Sequence, residues 1–140
     1  MKPLKLTLAA ALFVIPSVIS VQPAHAATFQ HNCGTIARMC LHYNSNRAGA
    51  EFGSDSNVQS FNPANSTNGQ TYLFRTGQQG NNGNGQTVWN NAGSAYNWHS
   101  SRAFRVYYNS FWSGVNDYVP QGTVSNLPLT KNQDTSIGWA

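Results

Sequence analysis

The chain has 140 residues, a formal charge of +4 and only 9% charged side chains. That length suits one domain, and charge this sparse excludes a nucleic-acid partner, which needs a dense basic stripe. With Asp and Glu together numbering 4, there is also little material for acid–base chemistry.

Residues 1–26 read as a secretory signal peptide. Lys2 and Lys5 give a positive start, Leu6 to Val21 is mostly apolar, and Ala24-His25-Ala26 offers small residues for a signal peptidase. Pro16 interrupts the apolar run and no basic stop-transfer segment follows, which argues against a membrane anchor. Cleavage after Ala26 is expected, giving a secreted, extracellular single domain of residues 27–140 with no membrane attachment. Loss of Lys2 and Lys5 lowers the formal charge from +4 to +2.

Cys33 and Cys40 are the only cysteines. Outside the cytoplasm two nearby thiols become a disulfide, and a loop this short gains about 2.5 kcal/mol in the chain-entropy model. His31 and His42 lie close by, but zinc clusters seldom use this spacing.

No segment after residue 30 carries a 3.6-residue apolar period. Short alternating stretches separated by Asn, Gly and Ser point instead to strands joined by turns, and so to an all-β fold. Met39, Leu41 and Tyr43 share one face of a strand that ends in Tyr43-Asn44-Ser45, with Gly49 beyond. The Gly- and Asn-rich run through Gln78 to Gln86 reads as a flexible surface loop. Phe104, Val106 and Tyr108 then repeat the first strand, and Tyr108-Asn109-Ser110 with Gly114 repeats its turn, 65 positions later.

The copies also share an ending. Asn90 to Ala95 aligns with Lys131 to Ser136, 41 positions apart, and Trp98 then falls on Trp139. The change of offset places an insertion within Ser60–Gln86 of the first copy. Two four-strand units of this kind can pack face to face around a shared aromatic core that includes Trp98 and Trp139. Phe111-Trp112 stands in the second turn where the first has Asn46-Arg47. Two bulky apolar residues at a turn mark a candidate contact patch.

Tyr43…Gly49 and Tyr108…Gly114 resemble the aromatic-plus-glycine signature of the βγ-crystallin Greek key. The two closing segments resemble the calcium motif N/D-N/D-x-x-S/T-S of that superfamily. The wording CLHYNSNRAGAEFG, VWNNAGSAYNW and RVYYNSFWSG is similar to the superfamily's secreted actinobacterial metalloproteinase inhibitors, of the peptidase inhibitor family thirty-six type. The resemblance covers Cys33–Trp139. It implies a βγ-crystallin-like sandwich of two Greek keys, about 38–99 and 102–140, and inhibition of an extracellular metalloprotease. Inhibitory members offer an exposed loop braced by a second disulfide. This chain has the counterpart of the amino-terminal bridge alone, and its nearest loop by position is Ser60–Gln86.

Carried over position by position, the resemblance implies calcium ligands at Asn90, Asn91 and Ser94 with Asn132 and Thr135. Neutral oxygens of this kind bind calcium weakly, on the order of 0.1–1 mM. Lys131 stands where the motif has Asn or Asp, and would add a like charge beside one site. The alternative to inhibition is a calcium-stabilised extracellular module that binds carbohydrate, cell wall or protein. A secreted antimicrobial βγ domain is a third possibility, resting on export and mild basicity.

No nucleophile elbow or HExxH spacing is present. Glu51 and Asp55 could in principle form a glycosidase pair, but carboxylates beside the Gly53 turn read as solvated turn residues. The chain is expected not to be an enzyme.

Overall fold

The structure is a computed structural model that describes residues 27–29 and 31–140; the expected signal peptide lies outside them. Among the described residues nine strands form: β1 (Thr28–Phe29), β2 (Met39–Asn44), β3 (Ala48–Ser54), β4 (Thr71–Tyr72), β5 (Ser94–Asn97), β6 (Phe104–Asn109), β7 (Ser113–Val119), β8 (Val124–Asn126) and β9 (Ser136–Trp139). One sheet has the order β3-β2-β5-β8 and the other β7-β6-β9, while β1 and β4 pair separately and in parallel.

The two halves exchange their third strands. β8, from the second half, pairs with β5 of the first through Ala95 opposite Ser125. In return Val58, from the first half, exchanges N–H···O bonds of 2.9 and 3.1 Å with Ile137 of β9. This exchange makes two Greek keys into one βγ-crystallin-like sandwich, with Met39, Leu41 and Phe52 of one sheet facing Phe104, Val106 and Ile137 of the other in the core.

The repeat extends to register. Met39 pairs with Ser54 and Phe104 with Val119, and each hairpin shifts register just before its turn. Gly49 and Gly114 have φ of 83° and 79°. A Cβ at either would stand 2.9 or 2.7 Å from the Asn44 or Asn109 Nδ2, so neither turn can close over a larger residue.

The closing segments correct the alignment read from sequence. Asn90 and Asn132 share positive φ, 59° and 55°, and are 42 positions apart. Ser94 therefore matches Ser136, and Trp139, opposite Phe104, matches Asn97, opposite Met39. A one-residue slip exchanges the two faces of a strand. Accordingly Trp139 packs against the core, whereas Trp98 lies edge-on to Tyr96 at 5.0 Å, beneath the Arg47 guanidinium.

The insertion is structural. It contributes Phe61, Tyr72 and Phe74 to the core, the first two in edge-on contacts with each other and with Phe52 at 5.4–5.7 Å. The Gly/Asn-rich run does lie on the surface, but the edge of β3 holds it. Gly49 N–H donates to Gln79 O at 2.9 Å and Ala50 N–H to Asn82 O at 2.8 Å.

Candidate functional site

A cleft of about 540 Å³ opens beside the second hairpin turn, lined by Trp89, Asn90, Tyr108, Asn109, Phe111 and Thr135 among others. Its origin is an asymmetry between the halves. In the first copy Tyr43 is covered by the insertion, with Phe74 edge-on at 5.8 Å and Gly83 against the ring. The second copy has no insertion, so Tyr108, expected on the buried face, is 41% exposed and forms part of the wall.

The hairpin turn itself is tightly held. Phe111 and Trp112 have φ of 59° and 55°, as Asn46 and Arg47 have 60° and 57° in the first copy. Phe111 N–H donates to Gln59 O at 2.6 Å. The Trp112 indole N–H donates to Ile137 O at 2.9 Å, and its ring covers Gly138. Both rings stay partly exposed, Phe111 at 57% and Trp112 at 42%. The contact patch read from sequence thus divides, since Phe111 lines the cleft and Trp112 anchors the turn.

Of the five residues suggested as calcium ligands for two paired sites, three lie outside the cleft lining. Asn90 and Thr135 line the cleft. Asn91 spends its amide N–H on Thr87 O at 2.9 Å. Ser94 is fully buried, with its hydroxyl donating to Asn44 O at 2.6 Å and accepting Arg47 N–H at 2.9 Å. Asn132 lies on the opposite half, its N–H on Ala92 O, mirroring the Asn90 N–H on Asp134 O.

The Asn132 half does not fit a calcium ion, and the Asn90 half offers only neutral oxygens. On the Asn132 half, Lys131 puts its ammonium 3.0 Å from the Ser45 hydroxyl, so a positive charge already holds that place. On the Asn90 half the equivalent of Lys131 is Trp89, and no carboxylate lines the cleft. Calcium seeks six to eight oxygens, with carboxylates supplying most of the affinity. Among the described residues no cluster of three His, Cys, Asp or Glu could hold a metal.

The carboxylates are engaged elsewhere. Asp55 forms a two-pronged pair with Arg38 at 2.6 Å, which holds its carboxyl below the usual range. Asp117 accepts from Thr130 N–H and hydroxyl at 2.8 and 2.7 Å. Glu51 is buried against Gly77, accepts Cys33 N–H at 3.1 Å, and is pushed up by burial. Asp134 accepts Ala92 N–H at 2.8 Å through one oxygen, while the other is buried without a partner; burial raises it well above an ordinary carboxylate. Glu51 and Asp55 therefore share no open cleft. The cysteines are joined as a Cys33–Cys40 disulfide.

Sequence reasoning missed Trp89, Tyr108 and Asn109 as parts of one surface. The available signal was the insertion, because a cover present in one copy leaves the matching place bare in the other.

No family model matches the chain, and no curated protein matches it. Among solved structures, one described as "Evolution of the eye lens beta-gamma-crystallin domain fold" is similar, with a TM-score of 0.51 and 13% identity. The match covers 79% of this chain and 93% of that one. At that identity the likeness shows the fold alone, which is that of a βγ-crystallin domain.

Proposed function

We propose that this protein is a secreted, non-catalytic βγ-crystallin-like inhibitor of an extracellular metalloprotease. The reading rests on the resemblance of its three sequence stretches to such inhibitors. One observation carries it further: an exposed segment that the edge of β3 holds at several points. Arg75 and Glu51 exchange backbone bonds of 2.8 and 3.0 Å, and Gln79 and Asn82 accept from Gly49 and Ala50. Gly77 and Gly80 close a turn around the Gln79 anchor, and its tip, Gln78-Gln79, is exposed although the Gln79 carbonyl is held by Gly49 N–H. A loop fixed before docking loses less entropy on binding and relaxes less after attack, so it resists turnover. Here backbone bonds would serve where inhibitory relatives use a second disulfide.

The test is inhibition of a thermolysin-like protease by residues 27–140, with mass spectrometry of the mixture. Stoichiometric inhibition, with the domain intact or clipped once within residues 75–86, is the expected result. Rapid degradation, or no effect at large molar excess, rejects that protease class as the target.

A further inference from the structure

The cleft beside the second hairpin goes beyond the inhibitor reading and does not involve the Gln78-Gln79 tip. We propose that it is a binding site for an uncharged glycan. The lining supplies the two chemistries a neutral sugar needs. Trp89, Tyr108 and Phe111 offer aromatic surface for the C–H faces of pyranose rings, and Asn65, Asn90 and Asn109 offer amides that pair with vicinal hydroxyls.

Charge decides between ligand classes. No Asp, Glu, Lys, Arg or His lines the cleft, so nothing there would neutralise a phosphate, a carboxylate or an ammonium. A purely apolar ligand is disfavoured for the opposite reason, because it would strip water from several amides without replacing their hydrogen bonds. The volume, about 540 Å³, falls inside the range of about 300–1,000 Å³ typical of small-ligand sites.

The backbone adds an independent observation. Left-handed φ suits Asn, which the first copy uses at Asn46, and strains a bulky aromatic ring. At the equivalent place the second copy carries Phe111 in that same strained conformation, and leaves its ring 57% exposed beside the cleft. The turn sets this φ in both copies, and Asn46 shows that it does not require an aromatic side chain. Backbone strain kept in an exposed residue is characteristic of contact sites.

The experiment is retention of the mature protein on insoluble neutral polysaccharides (cellulose, chitin, xylan and β-1,3-glucan), followed by titration calorimetry with oligosaccharides of any that retain it. Four single variants accompany the wild type: Tyr108→Ala, Asn65→Ala, Phe111→Asn and Tyr118→Ala. Binding to at least one polysaccharide is expected, weakened by about tenfold or more in Tyr108→Ala and Phe111→Asn and by a smaller factor in Asn65→Ala. Phe111→Asn installs the residue of the first copy, so its melting temperature should equal or exceed that of the wild type while binding falls. Tyr118 is 49% exposed outside the cleft, and its variant should bind normally. No retention on any of the four polysaccharides overturns the proposal. So does binding that Tyr118→Ala weakens as much as Tyr108→Ala, which would indicate general aromatic adhesion.

Discussion

The Ser94 and Ser136 hydroxyls hold equivalent places in the two halves, each bridging the ends of a hairpin turn. Ser94 donates to Asn44 O at 2.6 Å and accepts from Arg47 N–H at 2.9 Å. Ser136 donates to Asn109 O at 2.7 Å and accepts from Trp112 N–H at 3.2 Å. Both serines are fully buried, and each lies on the strand that closes its unit. The turn residues are in strained φ, so they depend on these bonds. Ser94→Ala and Ser136→Ala should each cost about 2 kcal/mol, because two part-buried hydrogen bonds of about 1 kcal/mol each are lost together. In a domain of this size that lowers the melting temperature by roughly 5–10 °C. Calorimetry of the two variants checks this, and a fall of under about 2 °C in both would refute the bridging role.

Much of this arrangement was legible in the sequence. The alternation Met39/Leu41 and Phe104/Val106, the repeated Tyr-Asn-Ser and the paired glycines gave the hairpins and their common register. The closing segments misled because Asn, Ser and Thr recur closely within them, so an offset of one residue still matched identities. Only the φ of Asn90 and Asn132 and the two serine bridges fix the true register. The insertion misled by composition. Its Gly and Asn residues signalled a loop, while Phe61, Tyr72 and Phe74 were building core. The cleft was hidden for the same reason, since whether Tyr108 is exposed depends on a covering segment that its own copy lacks.

Lys131 and Ser45 lie 86 positions apart, a contact that no local pattern reveals. With an ammonium on one half and no lining carboxylate on the other, the wild type should melt at the same temperature, within about 1 °C, in EDTA and in about 5 mM calcium. Lys131→Asn removes the built-in charge and leaves the oxygens of Ser45 and Asn132. If that variant binds calcium at about 0.5 mM, the same addition contributes about 1.4 kcal/mol by mass action, a rise of several degrees. A rise of that size in the wild type would show instead that calcium displaces the Lys131 side chain.

Two buried groups give the domain opposing responses to pH. His42 is 1% exposed with both ring nitrogens unpartnered, and burial, aided by the Arg47 charge, lowers it from 6.5 to about 4. Its neutral form is the folded one. The stability it contributes is complete above pH 6.5 and is lost as pH falls toward 4, on the order of 3 kcal/mol. Asp134 has the opposite sign. Burial raises it, so its contribution is present below its ordinary value of 3.8 and is lost as pH rises through the folded value. His42→Met should flatten the decline in melting temperature between pH 6.5 and 4. Asp134→Asn, which can still accept from Ala92 N–H, should raise the melting temperature at pH 7–8 and leave the acid limb unchanged. Melts of both variants from pH 4 to 8 test each sign separately.

The anchoring of residues 75–86 can be broken at a single atom. Gly83 has φ of 87°, and a Cβ there would overlap the Tyr43 ring. Gly83→Ala must therefore lift the segment from Tyr43, and with it the bond from Ala50 N–H to Asn82 O. Phe61 and Tyr72 lie outside the lifted stretch, so the core survives, at a cost of about 1–3 kcal/mol for strain and lost contacts. The freed Gln78-Gln79 tip would become a substrate. Brief exposure to a protease of broad specificity, read by mass spectrometry, should leave the wild type whole and cut Gly83→Ala between residues 76 and 86. Inhibition of a thermolysin-like enzyme should weaken in the same variant, since a loop that yields to cleavage cannot hold the enzyme. Equal resistance of the two proteins would mean that the glycine contact does not brace the tip, and the inhibitor reading would lose its structural support.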